Sequence, residues 1–238
     1  MLKPDSPFKN IPSNTHPRQA FFLDGLRHAF EIAELSFSRL ATGLPALLEA
    51  QSESALPKSF APYYLDAWAF VDSVDRLRVL WKLQPGAGGI PKPFNSASLD
   101  SDLQAIRKIR NVSDHLAQKA DQIVSLKASA LGELSWVTVY SLDPPVMKSA
   151  FIRPGFLQAS INFQLNIPKD KLHVYGSAAN ILLKAANHTA DLSLAHSRLV
   201  NLANFAEASL ESMFAKGTAA KPYGTDMFAS CDLEFPEK

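Results

Sequence analysis

A chain of 238 residues whose only cysteine is Cys231 has no second thiol for an internal disulfide, so a packed core has to hold it together. Apolar runs approaching the roughly 20 residues of a bilayer-crossing helix are missing too, which excludes a helical membrane span. The opening Met1-Leu2-Lys3-Pro4-Asp5-Ser6-Pro7-Phe8 has neither the apolar segment nor the small-residue cleavage pattern of a secretory leader. The expected setting is therefore reducing and cytoplasmic. In that setting Asn111-Val112-Ser113 and Asn187-His188-Thr189 are chance matches to a glycosylation acceptor. An excess of one charge is also absent: 24 Lys and Arg face 23 Asp and Glu, giving a net charge of +1. No global basic field exists to hold nucleic acid, and such a ligand needs a local patch. Arg107, Lys108, Arg110 and Lys119, with Arg76, Arg78 and Lys82, supply it if their faces converge; otherwise they form solvated helix faces among interspersed aspartates.

Glycines are few, and the one cluster, Pro85-Gly86-Ala87-Gly88-Gly89, lacks the Gly-Lys-Ser/Thr ending of a phosphate-binding loop. It follows no predicted strand and reads as a connector. No serine sits in a nucleophile-elbow pattern, and Cys231 has no basic neighbours to activate it. His188, Asp191 and His196 are spaced so that one helical face cannot hold all three, so no metal and no cofactor is expected.

What is present is apolar periodicity. Residues 1–15 carry Pro4, Pro7 and Pro12 without periodicity and read as an extended surface arm. A helix is expected from Pro17, capped by Asn14 or Thr15 and ended by Gly43 and Pro45, with Phe22, Leu26, Phe30, Ala33, Phe37 and Leu40 inward. A second should run from about Pro62 to Leu83 on a stripe of Leu65, Trp68, Ala69, Val74, Leu77, Leu80 and Trp81, broken by Asp72 and Asp75. A third should run from about Leu99 to Ala128, burying Leu103, Ile106, Ile109, Val112, Leu116 and Ile123. Leu134–Leu142 and Val146–Arg153 read as a hairpin around Asp143-Pro144-Pro145. Further strands are expected over residues 158–167 and 172–184. A fourth long helix should span Thr189–Phe214, with Thr189 and Asp191 as candidate caps. After Gly217 the chain reads as a loose tail from which Phe228, Leu233 and Phe235 are candidates to dock on the core. The fold class is thus α+β, mainly α: a single domain over residues 1–238 built as a bundle of about four long helices. The bundle comprises residues 17–130 and 189–215, and a small antiparallel β insertion, about 134–184, lies between the third and fourth helices.

The chemistry-capable stretch is Arg107-Lys108-Ile109-Arg110-Asn111-Val112-Ser113-Asp114-His115. On a helix turning about 100° per residue, Asn111 and His115 share one face and Arg110 and Asp114 the adjacent one. Arginine offers a permanent charge in a planar fork that suits phosphate, and histidine titrates near neutrality. The bland alternative is a local Arg110 to Asp114 ion pair with a histidine satisfied at the core rim. Asp72 interrupts an apolar stripe and is either the partner of a cation on the facing helix or a solvent-facing acid at the stripe edge.

Arg110-Asn111-Val112-Ser113-Asp114-His115-Leu116 resembles the signature of the HEPN superfamily, in which an arginine, frequently followed by a polar residue, precedes a histidine on a bundle helix. The stretch Asp66-Ala67-Trp68-Ala69-Phe70-Val71-Asp72-Ser73-Val74-Asp75-Arg76-Leu77 is similar to the acidic, aromatic helix that packs across from that motif. The resemblance covers the helical part and leaves the β insertion and tail unaddressed. It implies a metal-independent endoribonuclease of a toxin–antitoxin or defence system, with His115 moving protons at the ribose 2′-hydroxyl or leaving oxygen and Arg110 stabilising the phosphorane. Asn111, Asp114 and Asp72 would be supporting residues. It equally implies non-catalytic relatives that bind a nucleotide or a protein. The implied partners are RNA or a nucleotide, an antitoxin protein, and a second copy in a homodimer.

Overall fold

The computed structural model describes residues 1–53, 55–83, 90–154, 172–215 and 226–231. Phe22, Leu26, Ala29, Phe30, Ala33, Phe37, Leu40 and Leu44 recur every three or four residues and place one continuous apolar face on α1, Pro17–Ser52. It forms an antiparallel hairpin with α2, Ala61–Lys82. Glycines set their separation. A Cβ on Gly25 would lie 3.1 Å from Leu80 Cδ1, and one on Gly43 would lie 2.9 Å from Tyr63 Cε1.

Gly43 and Pro45 were expected to stop α1, but the helix runs through both. Gly43 serves close helix packing instead of a helix end. Pro45 forfeits one backbone hydrogen bond, which costs about 3 kcal/mol in a helix interior. Leu40, Leu44, Leu47 and Leu48 are all buried around it, and each contributes about 1.5–3 kcal/mol. Packing therefore outweighs the local penalty. The α2 stripe is also rephased: Tyr64, Ala67, Phe70, Val71, Val74, Leu77 and Trp81 point inward, while Leu65 is 65% exposed.

The expected third helix is three short ones: α3, Ser96–Asp102; α4, Gln104–Asp114; and α5, Ala120–Ser125. Leu103 separates α3 from α4, and residues 115–119 form turns between α4 and α5. The chain thus turns after Asp114, burying Ile123 and leaving Leu116 exposed.

Among the described residues five strands form one antiparallel sheet between α5 and α6, ordered β2-β1-β4-β3 with β5 also paired to β4. They are β1 Glu133–Leu142, β2 Pro145–Ile152, β3 Val174–Tyr175, β4 Ala178–Ala185 and β5 His188–Asp191. The β1–β2 hairpin is as expected. The single strand expected over 172–184 is split into β3 and β4 by a turn at Gly176, which has a positive φ of 60°. The strand expected over 158–167 lies outside the described residues. Leu134 pairs with Leu183 and Val137 with Ala179, and the alternation turns Leu134, Trp136, Ile181 and Leu183 toward the helices. The last helix, α6, is Leu192–Phe214, with Asp191 accepting from Leu194 N at 2.8 Å; Thr189 belongs to β5 and caps nothing.

Both ends of the described chain depart from expectation. Phe8 and Ile11 of the supposed surface arm are buried in the core, and His16, not Asn14 or Thr15, caps α1 through Nδ1. Phe228 is 91% exposed and does not dock; Leu233 and Phe235 lie outside the described residues. One hydrophobic cluster draws on α1, α2, α3, α4, α6 and the sheet together. None of the helices in the described residues is long and apolar enough to cross a membrane.

Candidate functional site

Ile106, Ile109 and Val112 bury one face of α4, and the residues flanking that face meet different neighbours. On one flank Arg110 reaches α2, its Nε donating to Asp72 Oδ1 at 2.9 Å, and its Nη1 pairs with Asp114. Asp72 also accepts from Arg76 Nε at 2.6 Å, so charges alternate along Arg76, Asp72, Arg110 and Asp114. Asp72 is thus the partner of a cation on the facing helix, and the local Arg110 to Asp114 pair forms as well.

His115 is not on the helix. It is the first residue beyond α4, at φ −115° and ψ 32°, with its N–H donating to Asn111 O at 3.3 Å. Its ring is exposed, as is Asn111, and among the described residues neither side chain has a hydrogen-bond partner. Because α4 ends at Asp114, His115 does not share the helical face with Asn111 that an unbroken helix would give it. Of the motif, then, Arg110, Asp114 and Asp72 are brought together, while Asn111 and His115 face solvent.

On the other flank, α4 packs against β5. Burial, then Lys108 and Lys119, push the His188 pKa below its usual value, so two ammonium groups and an imidazole share one neighbourhood. Lys108 and Lys119 have no ion-pair partner among the described residues, whereas Arg39, Arg78, Lys82, Arg110 and Arg198 each pair with a carboxylate. Lys108 and Lys119 were part of the expected basic patch; its Arg76, Arg78 and Lys82 members are neutralised by acids instead.

Two cavities are lined by other residues. One of about 560 Å³ lies between Lys92, Pro93, Ser98, Asp102 and Arg198. Its arginine is committed, with Nε 2.6 Å from Asp102 Oδ2 and the guanidinium carbon 5.6 Å from the Phe94 ring centroid. The other, about 320 Å³, opens between the end of α5 and the β4–β5 turn.

His188, Asp191 and His196 serve separate places: His188 opens β5, Asp191 caps α6, and His196 is buried. The His196 ring stacks on Phe37 at 4.0 Å, and its Nε2 donates to Glu34 Oε2 at 2.8 Å. Tyr175 Oη and Ser38 Oγ donate to Glu34 Oε1 at 3.0 Å and 3.2 Å. The His196 hydrogen bond, opposed by burial and assisted by the His196 charge, the Met1 ammonium and the Tyr175 hydroxyl, pulls the Glu34 pKa down to about 2. This cluster joins α1, β3 and α6. Sequence spacing gave no hint of it, because its members lie 137 or more positions apart across α1 and the later elements. Asp24, His28 and Asp226 also offer ligand atoms within 4.8 Å of one another. Arg27 Nη2 already sits among them, 3.0 Å from Asp24, 3.2 Å from His28 Nε2 and bonded to Asp226, so a guanidinium fills the cation's place.

No protein-family model matches the chain, and no curated protein or solved structure is detectably similar to it.

Proposed function

We propose that this protein is a non-catalytic binding module that holds RNA by its phosphates on the α4–β5 face. The observation that carries the reading is the packing of α4 on β5, which brings the charges of Lys108 and Lys119 to bear on His188 while neither lysine has an ion-pair partner among the described residues. On a nearly neutral chain, such unpaired ammonium groups are the natural counterions for a phosphate backbone. On an ideal helix Lys108 lies about 160° from Arg110, and the exposed Asn111 lies about 60° from Lys108. Few phosphates are gripped, so binding should be weak, on the order of 10 μM at physiological salt.

Arg110 argues against strand cleavage as the main activity. Its guanidinium already holds two carboxylates, and stabilising a phosphorane would require it to release one. Cleavage is the second reading, favoured by the solvent-open ring of His115 close to the proposed phosphate path. Cytoplasmic residence, a homodimer and masking of the face by an antitoxin-like protein belong to the same proposal.

Fluorescence anisotropy with a labelled single-stranded RNA tests it. Binding that weakens several-fold in Lys108→Ala and in Lys119→Ala supports the reading; undiminished binding in the double variant overturns it. Electrophoresis of the same samples, without added metal, reads the second possibility: cleavage lost in His115→Ala would establish catalysis.

A further inference from the structure

The β4–β5 turn links the RNA face to the smaller cavity. His188 opens β5, and its neighbours Ala186 and Asn187 line the cavity together with Lys184 from β4. Lys127 and Ser129 come from the end of α5 and the segment after it, Glu133 from the start of β1, and Arg153 from beyond β2. Among the described lining residues three cations stand against one carboxylate, about +2, on a chain whose total is +1. Lys127 and Lys184 have no ion-pair partner among the described residues. Arg153 is held in position, donating to the Lys127 carbonyl and standing 4.0 Å from Glu133.

The walls are built from unusual backbone. Lys127 and Ala186 both have a φ of 51° and Gly132 one of 84°, all in the left-handed region. At Gly132 a Cβ would come within 2.4 Å of Lys184 O, so glycine is needed to let β1 approach β4 at the cavity edge. Lys127 has a local cause: Ala128 N bonds back to Ile123 O at 3.0 Å, which closes the end of α5. Lys127, just beyond α5, and Lys184, on β4, thus both line one hollow.

We propose that this hollow receives a terminal phosphomonoester, the end of the RNA strand whose backbone lies on the α4–β5 face. The proposal rests on the RNA reading for the identity of its ligand. A terminal phosphate carries about −1.5 to −2 charges at neutral pH, against −1 for an internal phosphodiester, and so matches the lining charge of the cavity. At about 320 Å³ the space lies at the low end of small-ligand pockets. It suits one nucleotide end better than a strand passing through. Ser129 and Asn187 contribute a hydroxyl and an amide that can bond phosphate oxygens without adding charge. Arg153, oriented by the Lys127 carbonyl, contributes its remaining N–H groups.

The test compares internally labelled RNAs of one sequence that differ only in carrying a phosphate or a hydroxyl at the 5′ or 3′ end. Wild-type protein should bind one phosphorylated form about tenfold more tightly than its hydroxyl counterpart. Lys127→Ala/Lys184→Ala, both on exposed side chains, should abolish that preference and leave binding of the hydroxyl-ended RNA intact. Lys108→Ala should weaken all forms and keep the preference. Equal binding of phosphate- and hydroxyl-ended RNA by the wild type overturns the pocket while leaving the backbone reading standing. If no RNA binds, the backbone reading fails, and the pocket is decided by thermal shift with a free nucleoside monophosphate. A shift lost in the double variant then assigns the site to the free nucleotide; no shift overturns it.

Discussion

Glu34 offers a stringent check on how the helices and sheet are joined, because one carboxylate takes hydrogen bonds from His196 of α6, Tyr175 of β3 and Ser38 of its own helix. The His196 hydrogen bond first, then the His196 charge, the Met1 ammonium 3.4 Å away and the Tyr175 hydroxyl, outweigh burial and lower its pKa from an ordinary 4.5 to about 2. A shift of that size corresponds to about 3 kcal/mol of linkage. The side chain remains one-quarter exposed, so solvent screening reduces the expected contribution to about 1–2 kcal/mol. The sign follows from a depressed carboxylate. Its stabilisation is complete above the unfolded-state value near 4.5 and is lost as pH falls toward 2. Urea unfolding followed by circular dichroism, run on wild type and Glu34→Gln between pH 7 and pH 2, measures this. The wild type should exceed the variant by about 1–2 kcal/mol at pH 7, with the gap closing through the acid range. A gap that is constant across pH, or that widens on acidification, would refute the assignment of Glu34 as the ionised centre of the junction.

Other substitutions probe separate links in the account. Gly132→Ala, at φ 84° with its new Cβ 2.4 Å from Lys184 O, should destabilise the fold by about 3 kcal/mol or more, seen as a large drop in melting temperature. Arg110→Ala should cost only about 0.5–1 kcal/mol, the worth of a partly exposed ion pair, and should change RNA affinity less than twofold in anisotropy titrations. Burial, then Lys108 and Lys119, hold the His188 pKa below its ordinary value; bound phosphate should offset the lysine contribution, so RNA affinity should rise on acidification as His188 takes up a proton. His188→Gln should flatten that pH profile.

Where burial follows a simple period, the sequence revealed the architecture. α1 and α6 carry their apolar residues at helical spacing, and the β-branched run from Leu134 forms the strand expected of it. It misled where tertiary packing overrode local rules. Gly43 reads as a helix stop but is a contact surface for Tyr63, and Pro45 is carried by the leucines around it. Apolar spacing continues from Val112 to Leu116 and so suggests a longer third helix, but α4 ends at Asp114 and Leu116 is exposed. Asp72 was legible as a partner because an acid on an apolar stripe demands a cation, and Arg110 meets it. The face built on His188 was not, since the pairing of α4 with β5 joins segments some 70–80 positions apart. Glu34 and His196 escaped for the same reason.

The central claim is that the unpaired lysines beside His188, rather than the carboxylate-bound Arg110, meet RNA phosphate. The salt dependence of binding isolates it, because each single-strand phosphate neutralised adds about −0.7 to the slope of log K against log salt concentration. The slope should become shallower by about 1.4 in Lys108→Ala/Lys119→Ala relative to wild type and stay unchanged in Arg110→Ala. An unchanged slope in the double variant, or a shallower one in Arg110→Ala alone, would contradict the account.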